Sequence, residues 1–398
     1  MSEPPAEQDG DVLASPPRRA RRLVFAVTGL ALAVALAAAG VIIASRQSSP
    51  RPVATVPGPA GQAPCSAAFS PGGTTLAVAG CRGSVSLWDI ATRRQVATLT
   101  SPRCPLAGQV LFSPDGRTLA LFGGHAVSPT GRRYHPATCL WDLATQRETT
   151  LTDPPLLADT SAQGAFSPDG TTLAVADNSG NIYLWNLATR RLTATVPASS
   201  YCAPICPIAF SPDGTMLAVG QTEPSGDHGH IYLWDLAARR WTGTLTDPSK
   251  GITNLAFGRH GILAVGADDH AYLWDVPARR LAGAIAPPID MAQGNASISK
   301  YGTPYPAPGA FDQSTTAAFS PDGTTLAIDA SFGYGTYLYY AATRNQVATL
   351  PYPNPPGQYH FAAGLAFSPD GTMLAVDDTD PSHDHGHVYL WDVMRNRS

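Results

Sequence analysis

Charge is scarce in this chain. Asp, Glu, Lys and Arg make up 14% of its 398 residues, against about 25% in an ordinary soluble domain. The net charge is −4, and the one dense basic cluster is RRARR at 18–22. The body of the chain therefore carries no electrostatic footprint for nucleic acid. Catalytic signatures are missing too: the sequence holds no G-x-S-x-G, H-E-x-x-H, P-loop or G-x-G-x-x-G pattern. No cofactor is implied, and the chain is not expected to be an enzyme. The alternative is an enzyme or metal-dependent hydrolase with its site in a central channel, where residues from separate units of the chain converge without forming a linear motif. Glycine and proline, by contrast, are plentiful at 37 each, so turns are frequent and long helices are excluded from most of the chain.

One apolar run escapes that punctuation. Residues 23–45, LVFAVTGLALAVALAAAGVIIAS, carry no charge. As a helix they rise roughly 34 Å, enough for a ~30 Å hydrocarbon core. A transmembrane helix is expected there, after a disordered cytoplasmic tail at 1–22 and before a linker at 46–52. Arg18, Arg19, Arg21 and Arg22 outweigh Arg46 and Arg51 on the other flank. The N-terminus is then cytoplasmic and the remainder lies outside the cell membrane. A cleaved signal peptide, with a cut site near Ala37 to Ala39, is the competing expectation and leaves the remainder on the same side.

From 53 to 398 the chain repeats itself. FSPGGTTLAV at 69, FSPDGRTLAL at 112, FSPDGTTLAV at 166, FSPDGTMLAV at 210, FGRHGILAV at 257, FSPDGTTLAI at 319 and FSPDGTMLAV at 367 are each followed by a phrase such as SLWDIATRR or YLWDLAARR. Successive Phe residues are 43 to 62 apart, a period that signals propellers or solenoids. Ser-Pro-Asp-Gly is turn chemistry between two strands. The β-branched and aromatic YLWD stretch gives a third strand, and VATL or TATV a fourth. Strands apolar on both faces suit a sheet covered on both sides. Fourth strands are found at 96–99, 148–151, 193–196, 242–245, 281–285 and 347–350, one short of seven. The missing copy is VATV at 53–56, before the first unit. The expected fold is all-β: a seven-bladed β-propeller closed by an N-terminal strand, which pairs with 388–392.

The Trp-Asp pairs at Trp88–Asp89, Trp141–Asp142, Trp234–Asp235, Trp274–Asp275 and Trp391–Asp392, with the FSPDG turns, resemble the WD-repeat family. Among its members the chain is most similar to the extracytoplasmic propellers of bacterial membrane-bound Ser/Thr kinases, without the kinase domain. Blade 3 has Asn186 for the Asp, blade 6 has Tyr339 and Tyr340 for the pair, and blade 5 lacks SPDG. The Gly-His pair that opens such repeats is absent, which removes one member of the family's buried His-Ser-Asp-Trp network.

In a propeller the first-to-second and third-to-fourth turns share one face. Here those turns are short and uniform, whereas the connections at 123–136, 221–229, 286–315, 352–360 and 377–386 are long and varied. Loops on a rigid frame carry binding residues, so the variable face is the expected recognition surface, with Tyr134, Tyr201, Tyr301, Tyr305, Tyr334 and Tyr359 as candidates. Its expected ligand is a protein or a cell-envelope component. The short-turn face, where the closing strand begins, is expected to look toward the membrane. A sensor role would need a partner, since a 22-residue tail is too short to signal alone. Two loops repeat an unusual phrase, PSGDHGHIYLWD and PSHDHGHVYLWD. His383, His385 and His387 form an alternative metal-ligating set, although D-H-G also reads as a plain hairpin turn. Six cysteines allow fifteen pairings. Cys65 and Cys81 flank the Gly72-Gly73 turn and are expected to pair across it, leaving Cys104 with Cys139 and Cys202 with Cys206, unless CAPIC is a redox or copper site.

Overall fold

Each Ser-Pro-Asp-Gly phrase closes a hairpin through one shared pattern of bonds. In blade 2, Ser113 Oγ donates to Asp115 Oδ1 at 2.6 Å, and that oxygen accepts the Arg117 N–H at 3.0 Å. Gly116 sits at φ 71°, a conformation costly for any residue with a Cβ. Its N–H reaches Ser113 O at 2.8 Å, and Ser113 Oγ accepts the Thr118 N–H at 2.9 Å. The same Ser–Asp bond recurs in blades 3, 4, 6 and 7. Blade 5 turns instead through Arg259–Gly261, with His260 at φ 59° and Gly261 at φ 72°.

The Trp-Asp phrase ends the third strand with a second repeated turn. Asp89 Oδ1 accepts the Thr92 N–H and its hydroxyl, both at 2.7 Å. Asp142, Asp235, Asp275 and Asp392 accept the equivalent N–H. Asn186 does so through its Oδ1 at 2.9 Å, because only an acceptor oxygen is required. Blade 6 has none at Tyr340 and closes through its backbone, with Arg344 N–H on Tyr340 O at 2.7 Å. The turn before the fourth strand ends on a left-handed residue: Arg93, Gln146, Arg190, Arg239, Arg279 and, two residues before its strand, Arg344 have φ between 51° and 61°. Fourth strands consequently start earlier than their apolar residues suggest, at Arg94, Arg147, Arg191, Arg240 and Arg280.

The computed structural model describes residues 50–101, 104, 107–123, 138–151, 163–177, 180–197, 206–222, 228–249, 251–267, 270–288, 315–330, 335–353, 361–379 and 386–396. Pro50–Ser398 form one unit of seven four-stranded antiparallel sheets. Six are built in chain order, as in blade 1 from Pro64–Phe69, Thr75–Gly80, Ser84–Asp89 and Arg94–Thr100. The seventh comprises Phe361–Phe367, Met373–Thr379 and Gly386–Asp392, and Ala54–Pro57 adds its outer strand. Ala54 lies opposite Leu390 and Pro57 opposite His387. Val53 lies just outside the assigned strand, and its N–H still reaches Leu390 O at 2.7 Å.

Seven apolar clusters fill the seven junctions between blades. One joins Val56, Ala375 and Leu390 of blade 7 to Phe69, Leu76 and Val78 of blade 1, which closes the circle. The turns interlock as well: a Cβ on Gly116, Gly170, Gly214, Gly371 or Gly73 would lie 3.4–3.6 Å from the proline Cδ of the preceding blade's turn. Among the described residues no helix is long and apolar enough to cross a membrane. The 23–45 run lies outside them.

Candidate functional site

The two faces of the ring differ as the turn chemistry dictates. Every connection within the two hydrogen-bonded classes is short, and the long gaps between strands, such as 286–314, fall on the opposite face. Tyr134, Tyr201, Tyr301, Tyr305, Tyr334 and Tyr359 all belong to those gaps and lie outside the described residues, as do His383, His385 and Cys202. His387 is exposed on the blade 7 third strand and stacks on Tyr389, ring centroids 6.2 Å apart. The same arrangement pairs His270 with Tyr272 at 5.7 Å. No group of three or more His, Cys, Asp or Glu is placed to hold a metal among the described residues.

Two disulfides staple the variable side. Cys65 is bonded to Cys81 across the first hairpin of blade 1, Cα atoms 5.2 Å apart, and Cys104 to Cys139 in blade 2, Cα atoms 6.3 Å apart. Cys206 is also disulfide-bonded.

Beneath the variable face lies a feature that composition did not reveal: among the described residues five carboxylates are buried, Asp177, Asp247, Asp329, Asp377 and Asp378. Three of them brace the frame. Asp177 accepts the Asn181 N–H at 2.9 Å and the Tyr183 hydroxyl at 3.2 Å. Burial and that carboxylate together push the Tyr183 phenol up to about 12. Asp247 Oδ2 accepts Trp274 Nε1–H across the blade 4–5 junction at 2.7 Å. Asp329 accepts the Thr336 and Tyr352 hydroxyls, and burial above all holds the Tyr352 phenol far above its ordinary range. Asp377 is different. It is 1% exposed, no well-formed hydrogen bond reaches either oxygen, and burial, opposed by the nearby Ala67 backbone N–H, raises its pKa to about 8. Asp377 and Asp378 lie near His383 to His387 in sequence. The fold turns both into its interior.

The WD domain, G-beta repeat family matches residues 50–89, 160–186 and 202–235. These segments cover the closing strand with the start of blade 1, and parts of blades 3 and 4, in the ring just described. The chain is a WD-repeat β-propeller. No curated protein is significantly similar to it.

As a WD-repeat propeller it uses its Trp-Asp pairs in its own way. The Asp caps the third-to-fourth turn, and the indole N–H goes elsewhere: Trp88 Nε1 donates to Ser86 Oγ at 2.9 Å and Trp274 Nε1 to Asp247. Trp141 and Trp234 Nε1 are buried without a partner. The short-turn face of the propeller carries the charge. Among the described residues, every arginine except Arg82 lies there, and each is exposed. A cavity of about 580 Å³ lies at the same end between blades 3 and 4, lined by Asp169, Asp213, Trp234 and Arg239 among others. WD-repeat propellers are in the main non-enzymatic platforms for protein interaction, and this one has the rigid closed frame that such a role requires.

Proposed function

We propose that this propeller is a membrane-anchored binding scaffold or sensor that takes up a protein or cell-envelope ligand on its variable face. Residues 23–45 are the anchor, the tail 1–22 is cytoplasmic, and the ring stands outside the cell membrane. The observation that carries the binding role is the division of connections. The first-to-second and third-to-fourth turns are short and uniform, yet long segments of unrelated sequence are concentrated on the other side. Binding residues collect on connections held by a rigid frame. The extracytoplasmic placement is supported by the uncharged run with its basic flank and by disulfides, which persist in oxidising compartments.

Cross-linking and pull-down from the cell envelope with residues 46–398, repeated after deletion of 290–312, tests the binding face. Recovery of a partner by the first and its loss with the second is expected. Unchanged recovery moves the site elsewhere. Fractionation of cells making the full chain, with and without 23–45, tests the anchor separately: the full chain is expected in the membrane pellet and the deletion in the soluble fraction.

A further inference from the structure

The arginines of this propeller are arranged as well as one-sided. Each of the seven blades places at least one in the turn after its third strand, and blades 1, 3, 4 and 5 place two in succession, such as Arg93–Arg94 and Arg239–Arg240. One of each pair occupies the left-handed position, and the next begins the fourth strand opposite the turn's capping residue. The fourth strand is the outermost of each blade, so these guanidinium groups form a rim around one whole face. The neighbouring carboxylates do not cancel the rim evenly. Asp89, Asp142, Asp235, Asp275 and Asp392 cap the rim's turns, and Asp275 pairs with Arg280 at 3.3 Å. Among the described residues these five carboxylates face eleven rim arginines, and the acids of the Ser-Pro-Asp-Gly turns lie on the inner hairpins, bonded to serine hydroxyls.

We propose that this arginine rim docks on the anionic phospholipid headgroups of a bilayer surface. Guanidinium matches phosphate as a fork. A complete circle of cations on one face suits a planar anionic surface, whereas a protein partner would need only one sector. The closing strand starts at the same face, with Arg51 exposed just before it. The seven-residue linker 46–52 extends at most ~25 Å, which keeps the rim within reach of headgroups if 23–45 spans the bilayer. The inference rests on the membrane-anchored reading for its biological setting, but its chemistry can be tested without the anchor.

Residues 50–398 contain the whole closed ring and lack 23–45. They should co-sediment with vesicles of phosphatidylcholine plus phosphatidylglycerol, not with phosphatidylcholine alone. Binding should fall as added salt shortens the screening length. The triple variant Arg93→Gln, Arg94→Gln, Arg240→Gln should bind more weakly by about fivefold per arginine removed. An independent pair on other blades, Arg147→Gln with Arg395→Gln, should do the same, and Arg82→Gln on the opposite face should change nothing. Absence of binding to the anionic vesicles, equal binding to both kinds, or unaltered binding by both multiple variants overturns the proposal. Binding to soluble poly-glutamate without binding to vesicles also overturns it and assigns the rim to an acidic protein. None of these outcomes depends on whether the full chain fractionates with membranes.

Discussion

Asp377 is buried with neither carboxyl oxygen in a well-formed hydrogen bond. Burial disfavours a carboxylate there, and it outweighs the Ala67 backbone N–H, which favours one. The folded pKa of about 8 lies above the unfolded value near 3.8. Between the two, the unfolded state gives up a proton that the folded state keeps. Stability from this group is full below about pH 4 and is lost as pH rises through about 8, at up to ~1.4 kcal/mol per pH unit. Asp377→Asn should therefore raise the urea midpoint at pH 8 and flatten the decline between pH 4 and 8. An identical pH profile for the two proteins would show that the carboxyl is not buried as described. Asp115, Asp169, Asp213 and Asp370 act in the opposite sense. Serine hydroxyls first, then backbone N–H groups, lower their pKa values, so their contribution is present above the ordinary carboxylate range and is lost as pH falls below it. Blade 1 lacks that acceptor, with Gly72 in the Asp position. A Cβ there would meet nothing nearer than Thr74 Oγ1 at 4.0 Å. Gly72→Asp should supply the missing bonds to Ser70 and reduce the freedom of the unfolded chain, adding about 1 kcal/mol in denaturant unfolding.

At the scale of the element, the left-handed turns tie neighbouring blades together. Arg190 Nη1 donates to Thr149 Oγ1, Arg279 Nη2 to Thr242 O and Arg344 Nη1 to Ala282 O, each reaching the preceding blade's fourth strand at 2.7–2.8 Å. Glycine makes room for two of them. A Cβ on Gly283 would fall onto Arg344 Nη1, and one on Gly243 would lie 2.9 Å from Arg279 Nη1. Gly283→Ala should displace Arg344 and cost about 1 kcal/mol, while in an Arg344→Ala background the same change should cost nothing. Equal costs in the two backgrounds would place the strain elsewhere. These clasps also mark the limit of what the sequence conveys. The phrase ATRR reads as a turn because its composition repeats. Its arginine's partner stands about forty residues or more away on another sheet, and no local pattern encodes that distance. The same limit applies to Asp377 and Asp378. Their closeness to histidines in the chain is visible, but whether a carboxylate faces a loop or the next blade depends on register. The variable connections were legible only by their length, since unrelated sequence on one face has no period to read.

At the scale of the molecule, the ring's architecture was legible because a count failed to balance: seven first, second and third strands against six fourth strands after the repeats begin. The structure supplies the seventh from Ala54–Pro57. Energetically the strand does more than complete a sheet. Val56 is 4% exposed and packs with Phe69 and Leu76 of blade 1 as well as Leu390 of blade 7, so one residue couples the two ends of the repeat array. Burying a valine contributes roughly 1.5–3 kcal/mol. Without the strand, Gly386–Asp392 becomes a bare edge of apolar sequence, a template for pairing with another chain. Residues 58–398 should therefore unfold at lower denaturant than 50–398, by at least about 2 kcal/mol, and should self-associate in sedimentation velocity as concentration rises. A peptide of residues 50–58 added in trans should restore both, because it supplies the missing hydrogen bonds and Val56 without altering the ring. Equal midpoints for the two segments, or a peptide without effect on the weaker one, would mean that the blade 7–blade 1 junction holds by its other side chains and that the circle needs no clasp.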